Sequence, residues 1–229
     1  MTPYRALPEW ADFLCFGQDA PVTWQAGDNT QLARYAKLNP HLVLPGGYDY
    51  CLWIDGNIDV VDPAFFSKVE EMMAGGVLYA GLHHPQRDDV YEESLRILQN
   101  DRESFCRLAR LVKFLRKEGF PRHYGLDETN VILRRHNDPK VREFDELWWE
   151  MLRTWTNRDQ MTQSWCFRKT GLQHVHFLPQ GQCAQNHGPA KLHNPLNTRQ
   201  IDSLLRVVAP SYSMNCTHTG AGMSMVPIR

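Results

Sequence analysis

The 229-residue chain has six cysteines, at positions 15, 51, 106, 166, 183 and 216, and no C-x-x-C pair among them. That absence removes the usual zinc-ribbon and dithiol redox readings. Most of the thiols sit in apolar surroundings, which favours buried, reduced cysteines over a disulfide framework. No apolar run is long enough to cross a bilayer. The start, M-T-P-Y-R-A-L-P-E-W-A-D, lacks a basic region followed by an apolar core, so no signal peptide and a cytoplasmic location are expected. Excess charge is missing too. With 25 Lys and Arg against 26 Asp and Glu, the formal net charge is −1, which gives no bulk attraction to nucleic acid or to an anionic membrane. There is no internal repeat and no low-complexity linker. What is present is a globular composition, 42% hydrophobic and 22% charged, in a chain long enough to bury a core. The economical organisation is one domain over 1–229, with a core over about 12–180 and an irregular loop, short helix and tail over 181–229.

The most informative stretch is Tyr48 to Val60. Residues 50–54 form a short apolar run rich in aromatic and branched side chains, the pattern of a strand buried on both faces. It stops at Asp55-Gly56-Asn57. A buried strand ending in Asp-x-Asn puts two oxygen-bearing side chains at the carboxyl edge of a sheet, where open α/β sheets bind ligands. Gly56 permits close backbone approach. Carboxylate and amide oxygens suit magnesium, manganese or calcium better than zinc. The plainer reading is an ordinary Asx-type turn, and this stretch alone favours it.

Strand patterns recur at 12–16, 22–25, 77–82, 130–133 and 173–178. Helical patterns occupy the segments from Asn29 to Leu38, 63–73, Val90 to about 99, 102–117, 139–155, 160–169 and 198–208. Strands alternating with helices define an α/β fold with a largely parallel sheet flanked by helices. The tail beyond Pro210 lacks periodicity and is expected to be loosely held or to strap the surface. Trp148 and Trp155, at helical spacing with Phe144 and Met151, read as core and not as a sugar platform.

Five motifs occur in one order: A-R-Y-A-K-L-N-P-H (33–41), W-I-D-G-N-I (53–58), H-P-Q-R-D-D-V-Y-E-E (84–93), G-F-P-R-H-Y-G-L-D-E (119–128) and R-D-Q (158–160). Together they resemble the glycosyltransferase-like domain family that includes plant mucilage-related and turgor-regulation-defect proteins, over about residues 12–167. The resemblance implies a GT-A-like nucleotide-sugar transferase fold, with a nucleotide-diphosphate sugar as donor, an acceptor hydroxyl and a manganese or magnesium cofactor. It also implies roles for particular residues. Asp55 and Asn57 match the D-x-D-type site for metal and diphosphate, with Asn57 replacing the second carboxylate. Arg34 and Lys37 fall where such folds place basic donor contacts. His84, Arg87 and Asp88 match the H-P-x-R-D motif, whose arginine can fork onto phosphate. Asp159 and Gln160 resemble the D-Q pair beside the anomeric carbon of retaining galactosyltransferases. His187 and Lys191 resemble a late loop that supplies a metal ligand and a phosphate contact. Family members usually begin with a further strand and glycine-containing loop, for which this sequence shows no counterpart before the strand at 12–16.

Several of these residues admit other readings. Asp127 and Glu128 could act as acid and base, with Glu128 orienting the acceptor, or could be solvated or capping groups. Glu92 and Glu93 could serve only the dipole of a helix N-terminus. Arg158 could hold Asp159 by an ion pair. His174 and His176 lie on one face of a strand and lack an identified third metal ligand. Cys183, His187 and His193 offer three zinc ligands at irregular spacing. The expected function is therefore glycosyl transfer. One alternative is a non-catalytic nucleotide-sugar or carbohydrate-binding module without its first strand. Another is a metal-assisted, ceramidase-like hydrolase with His83, His84, Asp88 and Asp89 as metal candidates. Nothing points to a nucleic-acid partner, although a nucleic-acid hydroxyl is compatible with the charge.

Overall fold

The structure is a computed structural model and describes residues 7–16, 29–56, 58–60, 64–100, 102–179, 192–193 and 223–228, the last two segments as backbone. Its elements are β1 (Leu14–Phe16), α1 (Asn29–Leu38), α2 (Pro40–Val43), β2 (Tyr50–Asp55), β3 (Asp59–Val60), α3 (Ala64–Ala74), β4 (Tyr79–His83), α4 (Val90–Gln99), α5 (Phe105–Lys117), β5 (Asp127–Arg134), α6 (Pro139–Trp155), α7 (Gln160–Thr170), β6 (Val175–His176), β7 (Leu192–His193) and β8 (Met223–Ile228). The expected strand at 22–25 and helix at 198–208 lie outside the described residues. None of the described helices is long and apolar enough to cross a membrane.

Helix boundaries follow local chemistry. Asp89 caps α4 by accepting the Tyr91 and Glu92 N–H groups at 2.7 and 3.3 Å, which would otherwise lack intrahelical partners. Asp138 caps α6 directly before Pro139, a residue that needs no hydrogen-bond acceptor there. Gly171 ends α7 in a left-handed conformation, φ 68°, that favours glycine.

Six strands form the main sheet in the order β1-β8-β2-β5-β4-β6, and β3 pairs with β7 in a separate ribbon. The largely parallel sheet expected from the alternation is corrected here to a mixed one. Among the described strands the pairs β1–β8, β8–β2, β2–β5 and β5–β4 are antiparallel, and only β4–β6 is parallel. Two helices, not one, separate β4 from β5 and β5 from β6. Strand, two helices and strand make three chain reversals, and an odd number brings the next strand in with opposite sense. The tail expectation is also corrected: residues 223–228 pair with both β1 and β2 inside the sheet.

Each sheet face buries its own core, and the two-residue period of the strands decides which side chain goes where. Cys51, Trp53 and Ile132 face Phe144, Trp148, Met161 and Phe167 of α6 and α7. Leu52, Ile54, Val131 and Leu133 face Phe65, Phe66 and Val69 of α3. As expected, Trp148 is core; Trp155 is partly buried against the same cluster. Cys15, Cys51, Cys106 and Cys166 are all free thiols. The pairings also set one shared edge. The carboxyl ends of β2, β4 and β6 meet the amino end of the antiparallel β5 there, gathering Asp55, His83, His176, Asp127 and Glu128.

Candidate functional site

Asp55 ends β2, and its turn closes where Ile58 N–H donates to the Asp55 carbonyl at 2.8 Å. Because side chains alternate along β2, Asp55 lies on the same face as Trp53. The Trp53 indole N–H donates to Asp55 Oδ1 at 2.6 Å. Lys37, from α1, reaches the same oxygen at 3.2 Å. Its ammonium also lies 2.8 Å from Asp159 Oδ2. Arg34, one helical turn before Lys37, forms an ion pair with that Asp159 oxygen as well. Lys37 is fully buried and Asp159 is 3% exposed, so these charges are stable only because they neutralise one another. Burial alone would push the Asp159 carboxyl up. The positive charges of Arg34, Lys37 and Arg158 outweigh it and hold the group well below the usual carboxylate range.

Asp159 is fixed from three sides. Its carboxylate accepts the Gln160 N–H at the start of α7 at 3.1 Å, and its carbonyl accepts the Trp148 indole N–H at 2.9 Å. The expected pairing with Arg158 is replaced as the direct contact by Arg34 and Lys37, and Arg158 acts through its field. The Gln160 amide reaches across to the Asp127 carbonyl at 2.8 Å, tying α7 to β5.

Glu128, the second residue of β5, sits beside this network. Burial raises its carboxyl to about 7; the Asn130 amide, donating at 3.3 Å, opposes the shift, and the Asp55 charge adds to it. Two carboxylates close enough to perturb each other are a setting that a divalent cation relieves. Among the described residues only Oδ1 of Asp55 is engaged, and 23% of the side chain is exposed. The donor set therefore fits a hard oxygen-seeking cation such as manganese or magnesium. The other expected metal residues, Asn57 and His187, and the phosphate contact Lys191 lie outside the described residues.

The H-P-x-R-D segment follows β4. The Arg87 guanidinium donates to Glu93 at 2.5 Å and lies 3.2 Å from the His84 ring. His84 Nδ1 accepts the Arg87 N–H at 2.9 Å. Burial holds the His84 ring below the ordinary histidine range, although the Glu93 charge acts the other way. Asp88 meets His123 at 2.8 Å. Asp89, besides capping α4, binds Arg122 at 2.7 Å, and Arg122 also holds Glu92. Glu92 and Glu93 are thus partners of particular arginines as well as residues of a helix N-terminus. The hydrolase set of His83, His84, Asp88 and Asp89 is not brought together as a unit.

His83 joins other groups. Its ring stacks on His176 with centroids 3.4 Å apart. His176 Nε2 lies 2.8 Å from Asp127 Oδ1. His174 Nε2 lies 3.4 Å from Oδ2, with its ring stacked on Phe167. Trp53 and Asn130 are site residues that motif reading missed. The two-residue strand period, which puts Trp53 beside Asp55 and Asn130 beside Glu128, was the available signal.

The protein is an α/β domain with carboxylates, a buried lysine and an arginine converging at one sheet edge, the part of such sheets where ligands commonly bind. Residues 26–184, more than half of the sequence, match the family described as TOD1/MUCI70, glycosyltransferase-like domain, and the protein belongs to that family. No curated protein and no solved structure matches the chain.

Proposed function

We propose that the protein transfers a sugar from a nucleotide-diphosphate donor to an acceptor hydroxyl. The observation that carries this reading is the Asp55–Glu128 pair: an accessible carboxylate at a strand end beside an acid raised to about 7. Membership of a glycosyltransferase-like family supports it. Asp55, with Asn57 and His187, would hold manganese or magnesium, which when bound would neutralise charge on the departing diphosphate. Glu128 is suited to take the proton of the acceptor hydroxyl, because an acid with a pKa near the working pH exchanges protons most effectively. His84, Arg87, Asp88 and Lys191 would face the donor. Asp159 is sealed from solvent, so in this reading it positions rather than attacks. It clamps Arg34 and Lys37, keeps Lys37 on Asp55, and starts the helix that carries Gln160 toward the reacting carbon. Catalysis would come mainly from positioning and charge stabilisation.

The test is thermal-shift binding of a nucleotide-diphosphate panel, with and without manganese, on the wild type and Asp55→Ala. A ligand present at 100 times its dissociation constant stabilises the folded state by about 2.7 kcal/mol. One nucleotide should raise the melting temperature, only with manganese, and Asp55→Ala should abolish the shift. Equal manganese-dependent shifts in both proteins would refute the assignment.

A further inference from the structure

We propose that His83, Asp127 and His176 form a second cation site, distinct from Asp55, that takes a zinc-class ion through two imidazoles and one carboxylate and leaves a further coordination position open. The inference does not rest on the transferase reading. The three residues come from the ends of three adjacent strands, β4, β5 and β6, and each offers one ligand atom within 4.8 Å of the others. His176 Nε2 is 2.8 Å and His83 Nδ1 4.0 Å from Asp127 Oδ1. In a tetrahedral site with bonds of about 2.0–2.2 Å the donor atoms stand a little over 3 Å apart, between these two values, and the two stacked rings would turn about their side-chain bonds to aim both lone pairs at one ion.

A second observation points the same way. Asp127 is 5% exposed, and its Oδ2 is buried without a hydrogen-bond partner. A buried carboxylate oxygen with nothing donating to it is costly unless something else neutralises the group. His174 Nε2, at 3.4 Å, is in ion-pair range of Oδ2 without making that bond. Two imidazoles with one carboxylate select zinc, iron, copper or nickel over magnesium or calcium, whereas the Asp55 carboxylate oxygen by itself favours the harder cations. His83 and His176 side chains are 27% and 18% exposed, so a bound ion would be reachable by water or a substrate oxygen. Asp127 also accepts the Gln160 amide through its carbonyl, so such an ion would stiffen the sheet edge beside the candidate transferase residues.

The experiment titrates tag-free protein with zinc chloride, and separately with cobalt(II), on wild type, His83→Gln, His176→Gln and Asp55→Ala. The expected result is one equivalent bound by the wild type and by Asp55→Ala. Loss of an outer-shell partner of a metal site costs about 10–100-fold in affinity, so loss of a ligand in either histidine variant should cost about 100-fold or more. The cobalt spectrum should lack a thiolate charge-transfer band. In unmutated protein, one equivalent of zinc should shield His83 and His176 from diethylpyrocarbonate, read by peptide mass spectrometry, which guards against a variant that fails to fold. No bound zinc, unchanged affinity in both histidine variants, absence of shielding, or a thiolate band pointing to Cys183 would each overturn the proposal.

Discussion

Lys37 is held without solvent between Asp55 and Asp159, and its ammonium also lies 5.9 Å from the centre of the Trp53 ring. Replacing it with a hydrophobe of similar length leaves two carboxylates facing each other. Removing one partner of a buried ion pair costs about 3–5 kcal/mol, so Lys37→Met should lower stability by that order in urea unfolding, and a change under 1 kcal/mol would contradict the geometry. Glu128 makes a different claim. Its folded pKa of about 7 lies above the ordinary glutamate value of 4.5, so the folded state binds more protons than the unfolded one between those values. Its contribution is fully present below about 4.5 and is lost as pH rises through about 7. Glu128→Gln should therefore flatten that part of the stability profile, and a profile that keeps its wild-type slope would remove Glu128 as the cause. Asp159 has the opposite sign. Its depressed pKa contributes stability above the unfolded value of 3.8 that is lost as pH falls below it.

At the scale of elements, β8 is the least expected feature. Residues 223–228 lie between β1 and β2, with Trp53 opposite Met225 and Leu52 opposite Val226. Removing them would leave one side of β2 without backbone partners, and buried backbone groups without partners are expensive. Truncation after residue 220 should lower the melting temperature sharply or abolish cooperative unfolding. A truncated chain that melts like the full one would mean that β8 only decorates the sheet. The helices were easier to read. The span 139–155 is recovered without error as α6, because Asp138-Pro139 marks its start and seven apolar residues repeat at helical spacing. The direction of β5 was also open to reading, since both helices between β4 and β5 were visible in the pattern. Counting alternations without counting reversals gave the wrong sheet.

Across the whole molecule, the helical layer is fastened to the sheet by Arg134. It is fully buried on β5, donates to Asp145 of α6 at 2.5 Å, and binds the Lys37 carbonyl of α1. One side chain thus sets the position of the helix that carries Arg34 and Lys37 relative to the strand that carries Glu128. Asp145→Ala should cost about 3–5 kcal/mol, whereas Arg134→Met with Asp145→Leu should cost much less, because the pair rather than either charge is what burial tolerates. A double variant as unstable as the single one, by chemical denaturation, would show that Arg134 matters for its backbone contact and not for the pair.

Composition, periodicity, caps and ordered motifs by themselves determined the α/β class, most helix limits, the free state of the four described cysteines, though not the exposure of Cys106, and the family to which residues 26–184 belong. Those signals are local, and local propensities and short spacings are what a linear sequence displays. Only the tertiary structure decided which strands are neighbours, that 223–228 enters the sheet, and that Asp159 is enclosed by Arg34 and Lys37. It also decided that His83 and His176 find their carboxylate in Asp127, 44 and 49 positions away (127 − 83 and 176 − 127). Such meetings depend on strand order and register, which arise from the packing of both sheet faces at once and leave no fixed spacing along the chain.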